Sequence, residues 1–178
     1  MLPLPSVTEY SRDPAQASAF RFLLKFAVLV LAGYAVLAIP AVDRVLYRVL
    51  ELTADAAAAL LGLIGHEITV TGTVIRSPQF TVTIMRGCDG VEPTLILWAA
   101  MVSVRRPLTQ KLIGLILSLV LLQVLNLARI VTLFEVGINW PTAFHSLHVE
   151  VWPAIFILVE LGFFLIWSRW SMPRTVES

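Results

Sequence analysis

The chain has 178 residues, 58% of them hydrophobic and only 14% charged, with a formal net charge of +1. Soluble domains carry about 45–50% apolar and about 25% charged residues, so this composition excludes an ordinary soluble globule and points to a single polytopic membrane domain. The near-neutral balance implies no nucleic-acid partner, and the surrounding phase it implies is the lipid bilayer.

In chain order, residues 1–19 are polar, contain Pro3, Pro5 and Pro14, and read as a cytoplasmic N-terminal tail. The apolar run behind them has no small-residue cleavage site and ends at Pro40, so it reads as a retained anchor rather than a leader. A spanning helix needs about 20 mainly apolar residues. Residues 20–39 supply them, with Arg21 and Lys25 snorkelling from the start.

Residues 42–65 carry Arg44, Arg48, Glu51 and Asp55 in their first half and an alanine-rich run in their second. They read as an amphipathic helix at the outer surface or tucked against the bundle. The alternative, a fifth span, would put the following segment on the cytoplasmic side. Residues 67–85 alternate: Ile68, Val70, Val74, Phe80, Val82 and Ile84 are even, while Thr69, Thr71, Thr73, Thr81 and Thr83 are odd. A period of two with threonine enrichment predicts strands, and Ser77-Pro78 a turn, giving a small extracytoplasmic β-hairpin.

Residues 91–104 form a second span that reaches full length if it starts near Cys88. Residues 112–138 form a third, and 151–170 a fourth with Pro153 in its first turn. Residues 20–172 thus make one transmembrane domain, all-α apart from the hairpin, and 173–178 a cytoplasmic tail. Arg12, Arg21 and Lys25, then Arg105, Arg106 and Lys111, then Arg169 and Arg174 all fall on the cytoplasmic side of four spans. Cys88 then faces outward.

Cys88 is the only cysteine, so it has no internal disulfide partner. Arg129 lies inside an apolar span, where an unpaired charge costs on the order of 2.5–3.5 kcal/mol. It is either a structural arginine reaching the outer headgroups or a functional one. Gln123, Asn126 and Arg129 are three residues apart and share an arc of roughly 120°. Folding the second and third spans about Pro107 sets Cys88 opposite Asn126, with Arg129 about 4.5 Å further along. Counted from the cytoplasmic ends, Cys88, Arg129 and His148 stand roughly 24, 30 and 33 Å up, with His145 close to His148. A cation near a thiol favours the reactive thiolate. Histidine can take and return a proton, and arginine supplies a fixed positive charge. Gly87 and Gly90 leave room for a substrate backbone to approach.

Two other classes fit parts of this pattern. Cys88, His145 and His148 could ligate zinc, and a non-catalytic scaffold could bind a partner's transmembrane helix. Silence of Cys88→Ala would favour the scaffold.

The order Cys88-Asp89-Gly90, then Asn126-Leu127-Ala128-Arg129, then His148 ahead of the last span resembles the exosortase/archaeosortase family, in its bacterial exosortase branch. Gly-Cys-Asp-Gly-Val-Glu is further similar to a small subgroup, exosortase H. The resemblance runs from about residue 20 to about 170. It implies a membrane-embedded cysteine peptidase or transpeptidase without cofactor or metal, facing the periplasm of a bacterial inner membrane. Its substrates would be membrane-anchored proteins ending in a short motif, an apolar helix and a basic tail. Cys88 would be the nucleophile, with Arg129 and His148 beside it and Gly90, Asn126 and His145 in support. His145 stays open as an alternative base. Asp89 departs from the more usual serine or asparagine and puts a negative charge beside the thiol, which Arg86 or Arg129 would offset.

Overall fold

The computed structural model describes residues 14–170. The tail expected at 173–178 and residues 1–13 of the tail expected at 1–19, with Arg174 and Arg12, lie outside the described residues. Within them the elements run α1 (Pro14–Leu37), α2 (Pro40–Leu63), β1 (Thr69–Thr71), β2 (Val74–Arg76), β3 (Thr81–Thr83), α3 (Val91–Ser103), α4 (Leu108–Asn139), α5 (Pro141–Ser146) and α6 (Trp152–Arg169), with a π-helical turn, Leu147–Val151, joining α5 to α6.

Among the described residues three helices are long and apolar enough to cross a membrane: Gln16–Leu37, Leu108–Asn139 and Pro141–Arg169. The fourth apolar helix, α3, has 13 residues, about 20 Å of axis against a hydrocarbon core of about 30 Å. It does not start near Cys88, because Gly90 adopts a left-handed φ of +71° and the helix begins only at Val91. Irregular backbone at membrane depth is tolerated where protein covers it, and Asp89 and Gly90 are buried.

Lipid tails are as apolar as leucine, so close packing and small residues rather than hydrophobicity hold such helices together. On α4 the buried residues Gln110, Gly114, Ser118, Leu122, Asn126, Ile130 and Phe134 recur every fourth position. That stripe seats α3 and α6 on its first half. Gly114 makes room for Trp167, since a Cβ there would stand 2.3 Å from Trp167 Nε1. Trp167 donates to the Gln110 carbonyl at 3.1 Å, and Trp98 donates to Ser118 Oγ at 3.1 Å. On α1, Gly33 leaves the space that Leu95 of α3 fills.

The upper part of α4 carries α2 and the sheet. Leu50, Ala54, Ala57 and Leu61 of α2 pack with Ile75, Ile130 and Phe134 in one apolar cluster. The 42–65 segment is thus tucked against the bundle, its alanines allowing close approach.

The sheet has three antiparallel strands rather than two, ordered β1-β2-β3. The additional turn is Gly72-Thr73, with Gly72 at φ +61°. The two-residue turn pairs Val70 with Ile75, and the Ser77–Phe80 connection pairs Val82 with the same residue, so both valines face Ile75. Ile75, not Val74, is the fully buried residue of the middle strand. The Ser77-Pro78 turn forms as expected: Ser77 N donates to the Phe80 carbonyl at 2.8 Å, and Ser77 Oγ accepts from Phe80 N at 3.1 Å.

The last long helix starts at Pro141, ten residues before its expected start. Proline lacks the amide hydrogen that a helix interior needs. The π turn takes up the mismatch ahead of Pro153, with Trp152 N donating to the Leu147 carbonyl. His148 therefore sits in a helix and not in a loop. At the opposite end of the bundle, Arg21, Lys25 and Arg105 line one cleft, and Arg106 donates to the Ser168 carbonyl.

Candidate active site

Cys88 lies in a tight turn between β3 and α3. Its N–H donates to the Met85 carbonyl at 2.9 Å, and glycines with positive φ stand on both sides, Gly87 at +87° and Gly90 at +71°. Asp89 is buried and spends Oδ1 on the Val91 N–H at 3.1 Å, closing the turn onto the start of α3. From α4 three side chains, each three residues on from the last, grip this turn. Gln123 Nε2 donates to the Asp89 carbonyl at 3.3 Å, Asn126 Nδ2 to the Cys88 carbonyl at 3.0 Å, and Arg129 Nη2 to Cys88 Sγ at 4.0 Å. The bond from Asn126 is the register that folding about Pro107 implies.

The same Arg129 nitrogen lies 3.5 Å from His148 Nδ1. A guanidinium only donates, so in this contact Nδ1 is the accepting nitrogen. Arg129 thus stands between the thiol and the imidazole, touching both. Its guanidinium carbon also lies 5.9 Å over the centre of the Phe156 ring, a cation–π contact. The fully buried Asn126 Oδ1 and the buried Arg129 Nε have no hydrogen-bond partner among the described residues. Cys88, Arg129 and His148 share a cavity of about 50 Å³ with Val82, Ile84 and Phe144.

The two remaining expected site residues sit differently. His145 is exposed and does not line the cavity; Phe144 does, stacked on His148 with ring centres 5.8 Å apart and planes within 8°. Around Gly90 it is α4 that makes the close approach: a Cβ there would lie 3.3 Å from Gln123 Nε2 and 3.4 Å from Asn126 Cβ. Gly87 has open space around it. Arg86 does not offset Asp89. It bonds Asp43 at 2.5 Å and the Leu37 carbonyl at 3.2 Å, tying the turn to the α1–α2 corner.

Sequence reasoning passed over Phe144 and Phe156, which are apolar residues in apolar runs; only the four-residue step from Phe144 to His148 hinted at the stack. It also passed over His66, which meets Glu135 at 2.5 Å and closes the α2–β1 connection onto α4. Among the described residues no group of three His, Cys, Asp or Glu is arranged to hold a metal ion.

The model of the family described as Transmembrane exosortase (Exosortase_EpsH) matches residues 16–167. A search of curated proteins and a search of solved structures each found no match. The matched stretch takes in the Cys88 turn, the Asn126–Arg129 face of α4 and His148. Together with three helices of spanning length, it makes this a membrane protein of the sorting-protease type: the chain belongs to the transmembrane exosortase family.

Proposed function

We propose that the chain is a cysteine peptidase or transpeptidase that cleaves C-terminal sorting signals of exported proteins at the outer face of the bacterial inner membrane. The observation that carries this reading is Arg129 Nη2, poised 4.0 Å from Cys88 Sγ and 3.5 Å from His148 Nδ1 in one cavity. A fixed guanidinium there supplies positive charge beside the attacking sulfur. Cys88 Sγ adds to the scissile carbonyl carbon as His148 takes the thiol proton, and the oxyanion forms near the same positive charge. As the C–N bond breaks, His148 protonates the departing amine, leaving a thioester on Cys88. Water or an acceptor amine then attacks the thioester, His148 takes its proton, and the thiol is released.

The substrates are membrane-anchored proteins whose tail has a short motif, an apolar helix and a basic end. Their own helix fixes the scissile bond at the depth of Cys88, which supplies proximity without a deep pocket. β3 is an edge strand of the sheet, and residues 82–84 line the cavity. An extended motif adding along β3 would run toward the thiol.

The test is co-expression with a reporter carrying such a three-part tail from the same genome. Cys88→Ala is expected to abolish processing while the chain accumulates in the membrane. Cys88→Ser is expected to be nearly as inactive, because a hydroxyl is far harder to ionise than a thiol. Continued cleavage by Cys88→Ala would sink the reading.

A further inference from the structure

We propose that Phe144 is a positioning residue that fixes the imidazole plane of His148, and that Phe80, carried by the sheet, holds Phe144 in place. The proposal rests on the reading of His148 as the acid–base group.

Its ground is a row of rings that crosses three parts of the fold. Phe144 lies flat on His148, with planes within 8°. Phe80 packs next in the row, 5.7 Å from Phe144 at a tilt of 58°. Phe80 in turn meets Phe134 of α4 edge-on at 5.5 Å. Phe134 is fully buried, so the row ends on a rigid wall.

Phe80 is also seated from below. A Cβ at Gly137 would stand 2.3 Å from its ring, so this position on α4 works as a notch for the sheet. The notch matters because α5 and the π turn contain no buried residue of their own. Phe144 and Leu147 pack only partly buried against the apolar core, and the His148 ring itself meets the Arg129 guanidinium and the Phe144 ring. An imidazole that turns about its own bond takes Nδ1 out of line with the guanidinium, because hydrogen bonds weaken steeply as they bend. Losing that contact also removes one of two holds on Arg129 beside the thiol, the Phe156 ring being the other. The sheet is thus more than a cap over the bundle: through Phe80 it sets the geometry at Cys88.

A residue that only fills space is separated from one that orients a ring by its replacements. Phe144→Leu keeps the apolar bulk but loses the flat face; Phe144→Tyr keeps the face. The first readout is the spectrum of ¹⁵N-labelled histidine in the full chain in nanodiscs, with His148 assigned by its loss in His148→Ala. Wild type and Phe144→Tyr are expected to show one fixed tautomer, with Nδ1 accepting. Phe144→Leu is expected to show an averaged ring, while the His66 signal stays in place and reports that the cap is folded. Phe80→Ala is expected to average the ring in part. Phe80→Ala combined with Phe144→Leu is expected to do no more than Phe144→Leu alone, since Phe80 acts through Phe144.

The second readout is the rate at which iodoacetamide alkylates Cys88 across pH. Phe144→Leu is expected to slow it about 3- to 10-fold, the range an aromatic pair supports, with Phe144→Tyr within about twofold of wild type. An unchanged His148 spectrum in Phe144→Leu, with wild-type alkylation, overturns the positioning role even if Cys88→Ala proves inactive. A shifted spectrum with alkylation insensitive to both Phe144→Leu and His148→Ala upholds the positioning and removes the catalytic reading beneath it.

Discussion

Arg129 faces a thiol, an imidazole and an aromatic ring at once, with one nitrogen reaching the first two and its flat face turned to the third. Its planar fork places Nη2 toward both Cys88 and His148, and its flat face lies over Phe156. Lysine has the charge but neither the fork nor the face, so the exchange is not conservative at such a site. Arg129→Lys is therefore expected to insert and accumulate normally but to lose processing by about 10²-fold or more, the usual loss when one positioned donor is removed from an oxyanion-type site. The measurement is the initial cleavage rate of a tail-bearing reporter, normalised to the enzyme present in the membrane. Near-wild-type turnover would mean that charge alone suffices and that the bridging geometry is incidental. Asn126 works on the same turn from a different direction: its amide holds the Cys88 carbonyl, so the backbone of the proposed nucleophile is pinned while Arg129 attends to its sulfur.

At the scale of elements, the turn before α3 decides where Cys88 stands. Gly87 and Gly90 both have positive φ, and a left-handed conformation costs a residue with a Cβ roughly 1–2 kcal/mol. They differ in surroundings: Gly87 is open, whereas Gly90 lies against Gln123 and Asn126. Both alanine variants should thus lose similar stability from backbone strain, but only Gly90→Ala should push the turn off α4. Processing by Gly90→Ala is expected to fall well below that of Gly87→Ala at matched protein levels. Equal activity of the two would show that contact with α4 does not set the position of the thiol.

Much of this scale is legible from the residues. The step of three from Gln123 to Arg129 forces one helical face, and a short loop at Pro107 forces antiparallel helices, so the meeting of Asn126 with Cys88 follows from rise and period. What escapes is what local irregularity decides. The start of α3 depends on the conformation of one glycine, the parity of β2 on a two-residue turn at Gly72-Thr73, and the extra length of the last helix on a π turn that relieves Pro153. Hydropathy and periodicity average over such single-residue events. The row of rings escapes for another reason: phenylalanines in apolar runs carry no mark of the partner they will meet.

For the whole molecule, the two ends of the bundle carry charge in different ways. At one end Arg21, Lys25 and Arg105 surround a cleft and Arg106 ties α3 to the end of α6, with no acidic residue in the 104–111 connection. At the other end Arg86 pairs with Asp43 and Arg48 with Glu51. Lysines and arginines in short connections beside spanning helices stay on the cytoplasmic side during insertion. The basic cleft should thus face the cytoplasm, with Cys88, the sheet and the ring row outside. Two single-cysteine chains test this on a Cys88→Ser background: Thr69→Cys on the exposed edge of β1, and Leu108→Cys on the exposed connection beside Arg105 and Arg106. A membrane-impermeant maleimide added to intact spheroplasts is expected to label Thr69→Cys fully and Leu108→Cys only after the membrane is broken. The use of surface positions matters, because Cys88 itself is half-buried under Arg129 and could resist the reagent from the correct side. The reverse pattern would turn the protein over, and would leave the proposed nucleophile on the side of the membrane where no exported tail arrives.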